Sequence, residues 1–190
     1  MNETIEKRQY TYADYAAWDD ENRWELIEGL PYMMSAPSPV HQRVSGELFA
    51  KLHGFLVGKP CRVYYSPFDV RLNYDTDDDT VVQPDLLVVC DHSKIDNKGC
   101  NGAPDLVVEI LSPSSQRIDR WHKFHAYQKA GVREFWIVDP ENRTVQAHLL
   151  QDKQYSIAMY GGEDKVPVTV LPGCVLSIDE IFGETERDGL

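Results

Sequence analysis

The segment Val81-Val82-Gln83-Pro84-Asp85-Leu86-Leu87-Val88-Val89 is a short apolar run that contains a proline–aspartate pair. A second run, Pro104-Asp105-Leu106-Val107-Val108-Glu109-Ile110-Leu111, carries a glutamate. Near-continuous Leu, Val and Ile over such lengths predict buried strands. The segment from Arg117 to Ala130 predicts a helix, because Gly131 follows it as a typical left-handed cap. Strand, strand and helix in this order indicate an α/β domain.

Two carboxylates interrupt these apolar strands. An unpaired carboxylate in such surroundings costs several kcal/mol, so a cation is expected beside Asp85 and Glu109. Lys123 is the candidate, since Asp119, Lys123 and Tyr127 follow one another at i, i+4 and i+8 and line one helical stripe. Carboxylates that hold Mg²⁺, with a lysine near the attacking water, are the parts of a phosphodiester-cleaving site. A buried lysine–aspartate pair without catalysis remains the alternative.

Length and hydropathy limit the class of protein. The chain has 190 residues, which predicts one domain over residues 1–190 with its core at about 10–182. No apolar run approaches the roughly 18 residues that cross a bilayer, and the N-terminus lacks the apolar core of a signal peptide. We therefore expect no membrane partner and a cytoplasmic location.

The four cysteines are far apart in the chain and include no CxxC pair; they are Cys61, Cys90, Cys100 and Cys174. This spacing argues against a zinc site or a redox motif. It predicts isolated thiols in a reducing cytoplasm.

The charge of the chain is negative but uneven. A formal net charge of −12 argues against a protein that coats nucleic acid by overall electrostatics. Between residues 117 and 133, however, the charge is locally about +4, from Arg117, Arg120, Lys123, Lys129, Arg133 and the acid Asp119. A polyanion would approach this helix. A solvated helix face with basic side chains explains the same pattern.

The flanking segments complete the predicted order of elements. Helices are expected from Thr11 to Trp18, from Ser38 to Val57 and after Ser177, and a hairpin from Trp24 to Ala36 turns at Gly29. Alternation in this hairpin places Trp24, Leu26 and Glu28 on one face. After a strand at Glu134–Val138, an antiparallel meander is predicted from Thr144 to Leu150, Gln154 to Tyr160 and Val166 to Leu171.

The chain resembles the PD-(D/E)XK nuclease superfamily and, within it, the Uma-type (DUF820) family. The similarity covers about residues 10–180. It is carried by Trp24-Glu25-Leu26-Ile27-Glu28-Gly29, Pro37-Ser38-Pro39-Val40-His41, Gln83-Pro84-Asp85, the segment Pro104 to Ser114, Asp119 with Lys123 and Tyr127, and the segment Gly131 to Pro140. The resemblance implies a restriction-endonuclease-like mixed central sheet flanked by helices, with Mg²⁺ at the strand ends.

The resemblance also implies a role for each site residue. Asp85 and Glu109 would bind Mg²⁺, or Mn²⁺ in its place, and Glu28 would be a further metal ligand or a water-positioning acid. Lys123 would be the catalytic lysine. Leu111 stands where the superfamily usually has lysine, and the Uma-type family supplies that lysine from the following helix. The implied activity is that of a Mg²⁺-dependent endodeoxyribonuclease that acts on DNA, with a homodimer expected. The alternative is a catalytically inactive nuclease-fold module that binds nucleic acid or a protein partner.

Three further features have simpler explanations. Asp105 also follows a proline, but it precedes Glu109 on the same strand, so Asp85 is the favoured partner across the metal. His41 stands at a helix start, where capping or packing is expected rather than metal binding. The acidic run from Asp75 to Asp79 lacks the glycine and terminal glutamate of a calcium loop, which favours a solvated turn.

Overall fold

The computed structural model describes residues 9–112 and 118–183, except the side chains of residues 118–120. Its strands are β1 (Trp24–Ile27), β2 (Leu30–Met33), β3 (Arg62–Tyr65), β4 (Val70–Arg71), β5 (Val81–Val82), β6 (Leu86–Val89), β7 (Ile95–Asp96), β8 (Gly99–Asn101), β9 (Leu106–Ile110), β10 (Glu134–Asp139), β11 (Thr144–Gln151), β12 (Gln154–Tyr160), β13 (Lys165–Pro167) and β14 (Val175–Ser177). Its α-helices are α1 (Tyr12–Tyr15), α2 (Pro39–Leu56), α3 (Phe124–Ala130) and α4 (Ile178–Phe182).

The central sheet has six strands in the order β12-β11-β10-β9-β6-β3. Strands β9 and β10 run parallel, whereas the other neighbouring pairs are antiparallel. A parallel pair needs a crossover connection, and here the chain from β9 to β10 includes α3. The mixed central sheet flanked by helices is therefore confirmed.

Each face of the central sheet has its own cover. Leu86 and Val108 pack with Leu48 of α2 on one face, and Leu87 and Val107 pack with Tyr127 of α3 on the other. This division follows from alternation, because successive side chains of a strand point to opposite faces. Helix α2 begins as expected, with the backbone N–H of His41 donating to Ser38 Oγ at 3.2 Å and proline in the first turn.

A second six-stranded sheet has the order β2-β1-β5-β4-β8-β7. Its residues Ile27, Val70 and Val82 belong to the same apolar cluster as Leu87 and Val107 of the central sheet. The second sheet therefore packs on the face of the central sheet that α3 also covers. Strands β7 and β8 lie in the polar segment between the two apolar runs of the sequence.

The predicted C-terminal meander is only partly correct. Strands β11 and β12 are antiparallel neighbours as expected, and β11 also pairs antiparallel with β10. The third predicted strand, from Val166 to Leu171, is wrong in its extent and in its pairing, because β13 ends at Pro167 and pairs with β14. Proline has no backbone N–H to continue a ladder, and the chain then turns, with Leu171 N–H donating to Val168 O at 2.9 Å.

The prediction of isolated thiols is wrong for Cys61 and Cys90, which form a disulfide. The register of β3 with β6 pairs Arg62 with Val89, so the residue before β3 lies opposite the residue after β6. Strand pairing thus brings together two cysteines that are 29 residues apart in sequence. Cys100 and Cys174 are buried free thiols.

Across residues 9–112 and 118–183, no helix has both the length and the apolar character that a membrane span requires.

Candidate active site

Asp85 and Glu109 lie side by side on the central sheet. Leu86 of β6 pairs with Val108 of β9 in an antiparallel register, so Asp85, one residue earlier, comes opposite Glu109, one residue later. Opposed residues of neighbouring strands point to the same face, with Cβ atoms about 5 Å apart. Asp85 Oδ2 also accepts a hydrogen bond of 2.7 Å from the backbone N–H of Ile110, which fixes this carboxylate against the end of β9. The structure therefore brings the two predicted carboxylates together.

Lys123 joins this pair from the helical layer. It is the last residue of a π-helical segment, Ile118–Lys123, that runs directly into α3, and such segments are frequent at functional sites. Its ammonium Nζ lies 2.9 Å from Glu109 Oε1, and only 3% of the residue is exposed. Tyr127, one helical turn later, donates its hydroxyl to the same Glu109 oxygen. The predicted stripe therefore faces Glu109 at Lys123 and Tyr127, whereas the side chain of Asp119 lies outside the described residues.

Glu25 is the third carboxylate of the site, and sequence reasoning missed it. Its Oε1 lies 2.8 Å from Lys123 Nζ and accepts the backbone N–H of Gln83 at 2.7 Å. The residue is 4% exposed, so Lys123 is a buried cation between two buried glutamates. Such an arrangement satisfies charges that would otherwise be costly to bury.

Glu28 does not lie in this cluster, and its expected place is taken by Glu25. Glu28 and Gly29 form the two-residue turn between β1 and β2, and both have positive φ, 50° and 74°. This is the geometry of a hairpin turn of type I′. Glu28 is therefore a turn residue, and the alternation of side chains along β1 does not apply to it. Its side chain is 66% exposed and lies 3.8 Å from Lys129 Nζ. The signal in the sequence was the Glu-Gly pair itself, which marks a turn.

His41 contacts the site from α2. Its ring atom Nε2 lies 3.0 Å from Asp85 Oδ2, and 9% of its side chain is exposed. The same oxygen, Asp85 Oδ2, also accepts a hydrogen bond from the backbone N–H of Ile110, so two contacts hold it in place. The position of His41 in the first turn of α2 is as expected, and its contact with Asp85 adds a second anchor for that carboxylate.

A cavity of about 230 Å³ opens over these side chains. Its walls include Glu25, Asp85, Glu109 and Lys123, together with Arg23 and Tyr65. The side chain of Asp85 is 18% exposed, compared with 3% for that of Glu109. Asp85 is therefore the site carboxylate more open to the cavity.

The remaining predicted residues lie elsewhere. Asp105 stands at the opposite end of β9, where it accepts from the backbone N–H of Cys90 and pairs with Arg133 at 2.9 Å. Lys129 is exposed and pairs with Glu28. The basic residues near α3 are therefore not one continuous surface, because Lys123 is buried in the site. Arg117 and the side chain of Arg120 lie outside the described residues.

Comparison with protein families assigns the chain to a family. The model of the Uma2 family, described as "Putative restriction endonuclease", matches residues 12–179 of the chain. The chain belongs to the Uma2 family. The match includes Glu25, Asp85, Glu109 and Lys123, and the nuclease family suspected from the sequence is confirmed.

The chain is also similar to two other proteins. The uncharacterized protein slr1290 of Synechocystis sp. is 26% identical over 173 residues, which is 89% of each chain. The crystal structure of a "putative nuclease belonging to DUF820" from Anabaena variabilis has a TM-score of 0.75 at 22% identity, and the match covers 91% of this chain and 97% of that one. At this identity the likeness shows that the two share a fold.

The Uma2 chain departs from the usual superfamily pattern at Leu111, and the structure accounts for this departure. Leu111 is 5% exposed and packs in the apolar cluster beneath α3. Lys123 reaches the same glutamate from the helix, at 2.9 Å from Oε1. An ammonium beside Glu109 is thus present although the strand position is apolar.

Proposed function

We propose that this Uma2 protein is a Mg²⁺-dependent endodeoxyribonuclease, with Asp85, Glu109 and Lys123 as its catalytic residues. Glu25, and not Glu28, is the further acidic residue of the site, and it positions Lys123. One observation carries the proposal. The ammonium of Lys123 is buried between Glu109 and Glu25, at 2.9 and 2.8 Å, in the wall of the cavity that Asp85 enters. Burial of the charged triad Glu25, Lys123 and Glu109 costs desolvation energy. The triad lies beside the carboxylate of Asp85, which lines the cavity where β6 begins and β9 ends.

The donor set fits Mg²⁺ or Mn²⁺. Carboxylate oxygens are the ligands that Mg²⁺ prefers, and proteins often supply only one or two of them, with water and substrate phosphate as the rest. Within residues 9–112 and 118–183, no group of three or more His, Cys, Asp and Glu side chains is arranged to hold a metal ion. Asp85 and Glu109 are the pair that would hold it. A bound Mg²⁺ would lower the pKa of a coordinated water and neutralise charge on the phosphoryl oxygens.

Lys123 would act on the attacking water and on the developing charge. Its Nζ is held by Glu109 Oε1 and Glu25 Oε1, so the ammonium is fixed in the cavity wall. A fixed ammonium can orient a water molecule and stabilise negative charge on the phosphoryl group. Glu25 and Tyr127 are positioning residues, because the first contacts Lys123 and the second contacts Glu109.

A cleavage assay tests the proposal. Supercoiled plasmid and labelled oligonucleotides would be incubated with the parent in Mg²⁺, in Mn²⁺ and in EDTA. We expect cleavage by the parent only with metal, and a loss of at least about 100-fold for each of Asp85→Asn and Lys123→Ala. Asp85→Asn removes the charge of a metal ligand, and Lys123→Ala removes the cation beside the reacting phosphate. Lys123→Arg keeps the cation and allows cleavage to be measured in a folded chain if the alanine variant unfolds.

The matched controls remove the same charges elsewhere. Asp75→Asn changes an exposed aspartate, and Lys129→Ala changes a lysine whose side chain is 72% exposed. Both should cleave as the parent does. Retained cleavage in Asp85→Asn would overturn the assignment. A folded parent that leaves every substrate intact with either metal would favour the non-catalytic binding module.

A further inference from the structure

Arg23 lies at the rim of the active-site cavity. It directly precedes β1 and is exposed. Its Nη2 donates to Ser66 Oγ at 2.7 Å and to Gln83 Oε1 at 2.6 Å. Both acceptors are neutral, so they orient the guanidinium without cancelling its charge. An oriented arginine at the wall of a cleft is suited to bind the oxygens of a phosphate.

Gln83 is itself held in one orientation. Its Nε2 donates to Asp69 Oδ1 at 2.8 Å and to the hydroxyl of Tyr15 at 3.1 Å, which turns Oε1 towards Arg23. The backbone N–H of the same residue donates to Glu25 Oε1. Gln83 therefore links the rim to the buried triad, and little side-chain freedom remains to be lost when a ligand binds Arg23.

Tyr65 adds an aromatic surface beside this arginine. It is the residue before Ser66, lines the same cavity and is 58% exposed. Its ring meets that of Phe49 nearly at right angles, with centroids 4.8 Å apart, so a neighbouring ring supports it while it remains open to solvent. Unpaired bases stack on aromatic rings that are exposed to solvent in this way.

The charge balance of the cavity makes Arg23 important for any anion. The described charged side chains in its wall are Glu25, Asp85 and Glu109 with Arg23 and Lys123, which is a net negative set. Lys123 is 3% exposed and lies between two glutamates. The whole chain carries −12, so its surface gives a polyanion no general attraction. A strand that enters the cavity therefore depends on local contacts.

We propose that Arg23 and Tyr65 form a subsite for an unpaired nucleotide next to the cleavage position, and this rests on the proposed nuclease function. The guanidinium of Arg23 binds a phosphate of the strand, and the ring of Tyr65 stacks on a base. Inside a duplex, both faces of a base are covered by stacking on the neighbouring base pairs. The subsite therefore selects single-stranded DNA, or a duplex with unpaired nucleotides, over blunt duplex DNA.

Fluorescence anisotropy with a labelled single-stranded oligonucleotide tests the subsite. Ca²⁺ would replace Mg²⁺, and a gel would verify that the oligonucleotide stays intact. Arg23→Ala should weaken binding about tenfold and reduce the slope of log K against log salt by about 0.7, because one phosphate contact is lost. Tyr65→Ala should weaken binding by about 5- to 100-fold without a change in that slope, and Tyr65→Phe should bind as the parent does.

Two variants serve as matched controls. Arg62→Ala removes an exposed arginine of β3, and Tyr74→Ala removes a tyrosine that is 46% exposed; neither residue lines the active-site cavity. Both should bind as the parent does, and all variants should keep the thermal midpoint of the parent. In cleavage assays, the loss for Arg23→Ala should be larger in KM than in kcat.

The outcomes separate this subsite from the nuclease proposal. If the parent binds single strands through Arg23 and Tyr65 but cleaves no DNA, the nuclease function fails, and these two residues form a nucleotide-binding site of a non-catalytic module. If the parent cleaves DNA, and Arg23→Ala and Tyr65→Ala both bind and cleave as well as the parent does, the subsite alone is overturned. Three other results would overturn the subsite. The parent could bind blunt duplex more tightly than single-stranded DNA, or bind no single-stranded DNA. Arg62→Ala could reduce the slope of log K against log salt as much as Arg23→Ala does.

Discussion

The ammonium of Lys123 lies 2.9 Å from the carboxylate of Glu109, and each residue is 3% exposed. The two residues are 14 positions apart in sequence and belong to different layers of the fold. Their contact depends on the packing of α3 against the central sheet, where Tyr127 is fully buried. The integrity of the site is therefore coupled to the stability of the core.

The first prediction concerns this coupling. Lys123→Ala leaves Glu109 and Glu25 buried without their cation, and we expect it to lower the free energy of unfolding by about 3–5 kcal/mol in EDTA. Lys129→Ala removes an exposed lysine and should cost no more than about 1 kcal/mol. Urea unfolding followed by circular dichroism measures both values. Equal losses in the two variants would contradict a buried role for Lys123.

The second prediction concerns metal binding. A ligand that binds only the native state raises its stability, by about 2.7 kcal/mol when its concentration is 100 times Kd. Millimolar Mg²⁺ or Mn²⁺ should therefore raise the thermal midpoint of the parent relative to EDTA, and Asp85→Asn should abolish the rise. Asp75→Asn should retain it. A parent midpoint that does not respond to metal, with and without oligonucleotide, would refute the metal site.

The third prediction separates Glu25 from Glu28. Glu25→Gln keeps an acceptor for Gln83 but removes a charge beside Lys123, so cleavage should fall by about tenfold or more. Glu28→Gln changes a side chain that is 66% exposed in a turn, so cleavage and the metal-dependent rise in midpoint should equal those of the parent. The reverse result would restore Glu28 to the site.

The fourth prediction concerns pH and Glu134. Burial raises the pKa of this carboxyl above its ordinary value of 4.5, against the opposing effect of hydrogen bonds from Val170 and Trp136. The native state therefore holds this proton more tightly than the unfolded state does. The resulting stability is present below pH 4.5 and is lost as the pH rises through the native pKa.

Glu134→Gln removes this titration. The free energy of unfolding of the parent minus that of the variant should fall as the pH rises above 4.5, and then become constant. Chemical denaturation at a series of pH values measures the difference. Glu141→Gln, at an exposed position, should show no such trend. A difference that rises with pH would mean that the hydrogen bonds outweigh burial.

The sequence predicts the parts of the site that depend on simple periodicity. Asp85 and Glu109 interrupt runs of Leu and Val, which places them on buried strands, and i, i+4 spacing aligns Lys123 with Tyr127. These features are local, and the structure confirms Glu109 on β9 and the alignment of Lys123 with Tyr127. The predicted strand from Val81 to Val89 is instead divided into β5 and β6, which belong to different sheets, and Asp85 directly precedes β6. The catalytic roles themselves stay predictions until cleavage is measured.

The features that the sequence does not predict depend on register and turn geometry. Glu25 and Glu28 are three residues apart, and the difference between them is where β1 ends. Cys61 and Cys90 meet because β3 and β6 pair in one register out of several possible ones. Val166 to Leu171 has the composition of a strand, but its partner is β14 and not β12. Turn geometry decides the first case, and pairing of distant segments decides the other two.

The π-helical segment that ends at Lys123 has a consequence for reading related chains. An α-helix turns by about 100° per residue, so one residue inserted or deleted between Ile118 and Lys123 would move the ammonium away from Glu109 while α3 kept its packing. A relative could then retain both strand carboxylates and still lack the lysine at its glutamate. The sequence separation of Glu109 and the helical lysine, 14 positions here, therefore indicates better than the presence of a lysine alone whether a related chain has an ammonium at its strand glutamate.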